Sequence, residues 1–253
     1  MPQPQPHEVK WGDFYREDEH GRFALLWIDI NLKKIAPEAN FPHYFSVAIP
    51  FEVHQSNGLP TEKQYNDFWQ LENIILENSK KISYYFIGSA TYDGYRKLIF
   101  YVLNKSQANS FKKQILKSLP DWKKHLFFED FEDMRWTEYL ERLYPVPYEM
   151  EVIHSNYVVR DLQSQGDQIH IARPIIHTSI FSYVKMYQAA DYEKWLVNNA
   201  FRIRKKEEKY NGDIQFEFSK NEAPSAMHNI IPYLWQKTKD MGGDYLGWAT
   251  VMV

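Results

Sequence analysis

The sequence predicts an α+β protein made of two α/β sandwich domains, and three observations carry that reading. Apolar strand-like runs alternate with helical spacing in both halves. Asp93-Gly94 and Asn211-Gly212 sit between such runs, where a tight hairpin turn needs a positive φ. The segment 131–147, FEDMRWTEYLERLYPVP, ends in two prolines and reads as a packed joint between a first domain at 1–130 and a second at 148–253. A chain of 253 residues accommodates two domains of ordinary size.

Composition narrows the classes. Hydrophobic residues make up 44% and aromatic residues 17%, enough for two real cores filled with large rings. Basic and acidic residues number 30 and 33, a near balance that argues against a dedicated nucleic-acid binder. The absence of cysteine excludes disulfides, thiolate nucleophiles and Cys-ligated metal centres. The start, MPQPQPHEVKWGDFY, lacks an apolar signal core and reads as a loose Pro-rich arm. Apolar runs fall short of a membrane span, so a cytoplasmic location is expected.

In the first half, Phe23–Asn31 and Tyr44–Phe51 read as strands, the second stopped by Pro50. Thr61 with Gln64 makes a capping box for a helix from Glu62 to about Ser79. Tyr65, Phe68, Leu71, Ile75 and Leu76 form its inner face. Strands at 82–91 and 95–103 flank Asp93-Gly94. A helix capped by Ser106 and a last strand at 123–128 complete a sandwich with helices on one face. FALLWIDIN, the turn NGLP at 57–60 and IGSATYDGYRKLIFYV at 87–102 make residues 11–130 resemble a widespread bacterial domain family of unknown function. That resemblance implies no activity.

In the joint, Met134–Tyr144 reads as a short helix with Trp136, Tyr139, Leu140 and Leu143 on its apolar side. A helix at 148–165 follows, ended by Gly166 as its C′ residue. The strand at 168–178 contains Pro174, which predicts a bulge or local break. A helix at 187–199, a hairpin of 201–208 with 214–218, a helix within 225–241 broken or shortened by Pro232, and a strand at 245–253 complete the half. The order β-α-β-β-α-β is ferredoxin-like, preceded by one extra helix. GDQIHIARPIIHTSIF at 166–181, DYEKW at 191–195, FRI at 201–203 and GGDYLGWAT at 242–250 resemble the regulator of ribonuclease E activity B family. Gly166 and Asp167 match its turn before the first strand, and Tyr245, Gly247 and Trp248 its last-strand motif; Leu246 stands where that motif has an Asp. The resemblance implies a ferredoxin-like fold and a regulator that binds a ribonuclease or another RNA-processing enzyme.

The residues themselves nominate no catalytic, cofactor or metal site. His170 and His177 are seven apart in one strand and point to opposite faces unless Pro174 adds a bulge. His154 adds no tight ligand spacing. Glu129, Asp130, Glu132 and Asp133 read as a solvated loop or an acidic partner patch. Tyr245 and Trp248 read as packing residues or as an exposed anchor for a protein. Arg202, Arg204, Lys205, Lys206 and Lys209 read as protection of an edge strand, with protein or RNA contact as alternatives. Candidate partner-binding residues are therefore Asp167, His177, Tyr245, Trp248, Glu129, Asp130, Glu132 and Asp133. The expected function is a non-enzymatic regulatory or protein-interaction protein. A hydrolase or small-molecule enzyme with a site between the domains and an RNA-binding module are the alternatives; the first needs a cleft with convergent polar groups, the second a salt-sensitive RNA complex.

Overall fold

Two antiparallel sheets, each with its own helices, organise the protein in a computed structural model that describes residues 2–17, 20–79 and 82–253. The chain divides into two compact units, Met1–Pro145 and Val146–Val253. This is an α+β architecture of two mixed sandwiches.

The first unit has six strands: β1 (Trp11–Glu17), β2 (Phe23–Asp29), β3 (His43–Pro50), β4 (Tyr84–Tyr92), β5 (Tyr95–Val102) and β6 (Phe127–Glu132). They lie in the order β1-β2-β4-β5-β3-β6, every neighbour antiparallel. Two expectations change here. Residues 11–17 form an edge strand and not a loose arm, because Phe14 drops into the core at 1% exposure. The last strand starts at Phe127, so Glu129, Asp130 and Glu132 lie on β6, with Glu129 opposite Ser46 and Asp130 opposite Phe45, and Asp133 follows it. Helix α1 (Glu62–Ser79) starts as the capping box requires: Thr61 N–H donates to Gln64 Oε1 at 2.8 Å, and Gln64 N–H donates to Thr61 Oγ1 at 3.4 Å. Helix α2 (Lys105–Ser118) is capped by Asn104, whose Oδ1 accepts from Gln107 N–H at 3.1 Å, and Ser106 falls inside its first turn. The β4–β5 turn places Asp93 at φ 50° and Gly94 at φ 77°, the pair of positive values that such a hairpin demands.

Strand alternation separates the two faces of this sheet. Phe45, Val47, Leu98, Phe100 and Val102 pack against Phe68, Leu71 and Ile75 of α1 and Phe111 and Ile115 of α2. Tyr44, Tyr85 and Tyr101 belong to the other face, which is covered by irregular chain. Trp136 stacks on Tyr101 at 4.1 Å and meets Tyr85 edge-on at 5.4 Å; its Nε1–H donates to Phe41 O at 2.8 Å. The short helix expected over 134–144 is a π-type turn, Glu138–Leu143, and Tyr139 in it is fully buried.

The second unit opens with α3 (Pro147–Ser164), which uses Pro147 at its first turn, where the missing N–H costs nothing. Then come β7 (Arg173–Phe181), α4 (Met186–Asn198), β8 (Arg202–Glu208), β9 (Ile214–Glu222), α5 (Met227–Asp240) and β10 (Asp244–Ala249). The strand order is β10-β7-β9-β8, all antiparallel. Gly166 closes α3 at φ 87°: its N–H reaches Gln163 O at 3.0 Å, and Asp167 N–H reaches Leu162 O at 3.0 Å. No bulge occurs at Pro174, which pairs in register with Asn221 and lies beyond the last β10 pair, Ala249 with Ile176. The irregularities lie between Tyr245 and Gly247 on β10 and between Ile203 and Lys205 on β8. Helix α5 begins at Met227, two residues after the expected cap Ser225, and carries Pro232 inside it. Val152, Ala189, Tyr192, Leu196, Ile231 and Leu234 place α3, α4 and α5 in one core against Ile175, Phe181, Phe216 and Phe218 of the sheet.

Candidate functional site

In the second unit, β7 alternates strictly. Arg173, Ile175, His177, Ser179 and Phe181 turn to the helices, and Pro174, Ile176, Thr178 and Ile180 turn away. His177 is therefore an interior residue, with no exposed surface. Its ring stacks on Phe218 at 5.4 Å, and its Nδ1 lies 2.9 Å from Tyr245 Oη, while Nε2 has no hydrogen-bond partner. Burial pushes the His177 pKa down to about 4. Burial likewise raises the Tyr245 phenol well above its usual value, with Tyr192 and Glu151 adding to it. The pair is a neutral polar contact inside an aromatic core.

Asp167 and Arg173 close the turn before β7. Arg173 Nη2 donates to Asp167 Oδ1 at 2.7 Å, with the side chains 4% and 0% exposed. The same guanidinium reaches Thr250 Oγ1 at 3.2 Å and Gln168 O at 3.3 Å. Asp167 Oδ2 accepts from Val253 N–H at 3.3 Å. Trp248 is half-buried and donates from Nε1 to Ser155 Oγ of α3 at 2.9 Å. Leu246, at the β10 irregularity, is 54% exposed.

A groove of about 890 Å³ lies beside the start of β8, lined by Pro174, Arg202, Arg204, Ser219, Lys220 and Asn221, with Ala200 and Ile203. Arg202 lies opposite Ser219, on the same face as Pro174 and Asn221. The lysines around it sit beside glutamates. Lys205 and Lys209 share Glu207 at 2.8 and 3.0 Å, Lys206 meets Glu193 at 2.6 Å, and Lys220 meets Glu222 at 3.7 Å. Arg202 and Arg204 are exposed and have no ion-pair or hydrogen-bond partner among the described residues.

In the first unit, the acidic run splits into surface and interior. Glu129 accepts from Lys97 Nζ at 2.7 Å and from Ser46 Oγ at 3.3 Å. The Lys97 hydrogen bond, against some burial, holds the Glu129 carboxyl below its usual range. Asp130 Oδ1 lies 3.1 Å from His43 Nε2, and Glu132 is exposed. Phe127 and Phe131 are 53% and 41% exposed on the same edge strand. Asp133 is buried: Tyr101 Oη donates to its Oδ2 at 2.6 Å, and Thr137 and Glu138 N–H donate at 2.8 and 2.9 Å. Burial alone raises the Asp133 pKa, and these donors outweigh it, so the group ends below its ordinary value.

Of the eight residues singled out in the sequence, Glu129, Asp130 and Glu132 face outward on β6 and Trp248 is half-buried. Asp133, Asp167, His177 and Tyr245 are interior supports. His154 is exposed on α3 and His170 contacts Ser225 at 3.1 Å, so the structure does not bring the three histidines together. Among the described residues no group of three or more His, Asp or Glu is placed to hold a metal ion. The Arg202–Arg204 groove was visible in the sequence only as a basic run; which of its cations lack partners is decided by the fold.

Comparison with known proteins adds three findings. Residues 10–144 match the profile of a family of unknown function, DUF695. Residues 153–250 match the profile named regulator of ribonuclease activity B, RraB. A solved crystal structure described as a candidate glycine cleavage system transcriptional repressor aligns at 8% identity over 83% of this chain and 98% of that one. Its TM-score is 0.26, too low to carry an argument. No curated protein matches.

Proposed function

The chain belongs to the DUF695 family and carries an RraB-like domain behind it, and on that premise we propose that it is a regulatory protein-interaction protein that modulates a ribonuclease through its second unit. The observation that carries this reading is the match of 153–250 to a ribonuclease-regulator family. The succession β7-α4-β8-β9-α5-β10 with strand order β10-β7-β9-β8 supports a ferredoxin-like fold for that unit, with α3 as the extra helix. Its helix-free face and its two unpartnered arginines supply a surface for a partner.

In this reading Asp167, His177 and Tyr245 hold the unit in shape, and Trp248 pins α3 to β10. On the first unit, edge strand β6 offers a second contact edge, with Phe127, Glu129 and Phe131 on one face and Asp130 and Glu132 on the other, and Asp133 fixes the turn behind them. The site of action is the cytoplasm, where RNA processing takes place in bacteria. Size-exclusion chromatography of the purified chain with purified ribonuclease E tests the reading. Co-elution at a fixed ratio is expected, and separate elution at micromolar concentrations of both contradicts it.

A further inference from the structure

We infer that the groove beside the start of β8 binds an extended acidic segment of a protein partner, with Arg202 and Arg204 as the residues that read its carboxylates. The inference deepens the proposed function and rests on it only for the identity of the partner. The charges around the groove are sorted in a way that chance solvation does not require. The neighbouring lysines all lie within ion-pair reach of a glutamate, Lys205 and Lys209 sharing Glu207, whereas the two guanidiniums have no partner among the described residues and border the same groove. A guanidinium presents a rigid planar fork that fits a carboxylate with two parallel hydrogen bonds.

The geometry also says how the segment docks. The irregularity between Ile203 and Lys205 breaks the regular ladder of β8. Such a break disfavours addition of a long strand to the edge. Side chains must make the contact, across walls formed by Pro174, Ser219 and Asn221. Nucleic acid fits the groove poorly. The groove lining holds no aromatic ring on which a base would stack.

Fluorescence anisotropy with the full chain tests this. The probes are a labelled peptide alternating Glu and Val, its counterpart with Gln for every Glu, and single-stranded polyuridine. The Glu peptide is expected to bind, more weakly as salt rises, and the Gln peptide and polyuridine not to bind. Arg202→Gln and Arg204→Gln each weaken the peptide by about tenfold, the equivalent of one charge-assisted hydrogen-bonded contact. Lys205→Gln, which removes a lysine already held by Glu207, leaves it within about twofold. Equal binding of the two peptides, wild-type binding by the Arg202→Gln/Arg204→Gln variant, or binding of polyuridine without the acidic peptide overturns the inference. The two readings fail separately. Peptide binding that ignores both arginines sinks the groove and leaves co-elution with ribonuclease intact; loss of co-elution sinks the wider reading and leaves the titration standing.

Discussion

Asp167 and Arg173 form an ion pair at 2.7 Å whose side chains are 0% and 4% exposed, at the turn that leads α3 into β7. The pair lies at the crossing of three segments, since it also holds Thr250 and Val253 near the C-terminal end. Removing one partner leaves the other charge buried and uncompensated. Asp167→Asn is expected to destabilise the second unit by about 3 kcal/mol, read as a lower urea midpoint by tryptophan fluorescence. Replacing both residues by apolar ones of similar size recovers most of that loss. A single variant as stable as wild type would show that water, and not the fold, solvates the pair.

His177 predicts a pH dependence of stability in a defined window. Its folded pKa of about 4 lies below the ordinary histidine value of 6.5. Between those two values the unfolded chain takes up a proton that the folded chain refuses. Stability is unaffected by this group above about pH 6.5 and falls as pH drops toward 4, by up to about 3 kcal/mol in all. His177→Phe is expected to flatten that slope. Thermal melts of both proteins at intervals across the window measure it.

Asp133 acts in a lower window. Its pKa is depressed below the ordinary 3.8, so its contribution is complete above that value and is lost as pH falls through the folded one. Tyr101→Phe removes the shortest donor to this carboxylate and is expected to cost about 2 kcal/mol. The acid limb of the stability curve then moves upward in pH. An unmoved limb would mean that the backbone donors of Thr137 and Glu138 suffice.

Gly88 is required by close approach. It sits at φ 138° in the irregularity between Phe86 and the rest of β4, and a Cβ there would lie 2.0 Å from Trp27 O. Gly88→Ala is expected to destabilise the first unit by about 3 kcal/mol or prevent its folding. Circular dichroism and a urea titration distinguish these from no effect.

Features written in neighbouring residues were legible in the sequence. Thr61 with Gln64 set the start of α1, Asp93-Gly94 set the β4–β5 turn, and Gly166 ended α3, because each is a local bargain between a backbone group and a side chain. Strand β1 was missed because half of it is polar and its strand character comes from pairing with β2. The acidic β6 looked like a loop for the same reason: Lys97, Ser46 and His43, which receive its charges, are remote in sequence. Pro174 misled in the other direction, since it pairs in register with Asn221 at the start of β7, beyond the end of β10. The arginine groove depends on which glutamates reach which lysines, and spacing alone does not encode that.

The central claim is that this chain regulates a ribonuclease through its RraB-like unit. The most direct measurement is the initial rate at which purified ribonuclease E cleaves a fluorescent RNA, titrated with the full chain. A rate that changes with dose to a plateau, and returns toward its starting value when Arg202→Gln/Arg204→Gln replaces the wild type, is the predicted result. A rate that stays constant up to a large molar excess of wild-type chain would contradict it.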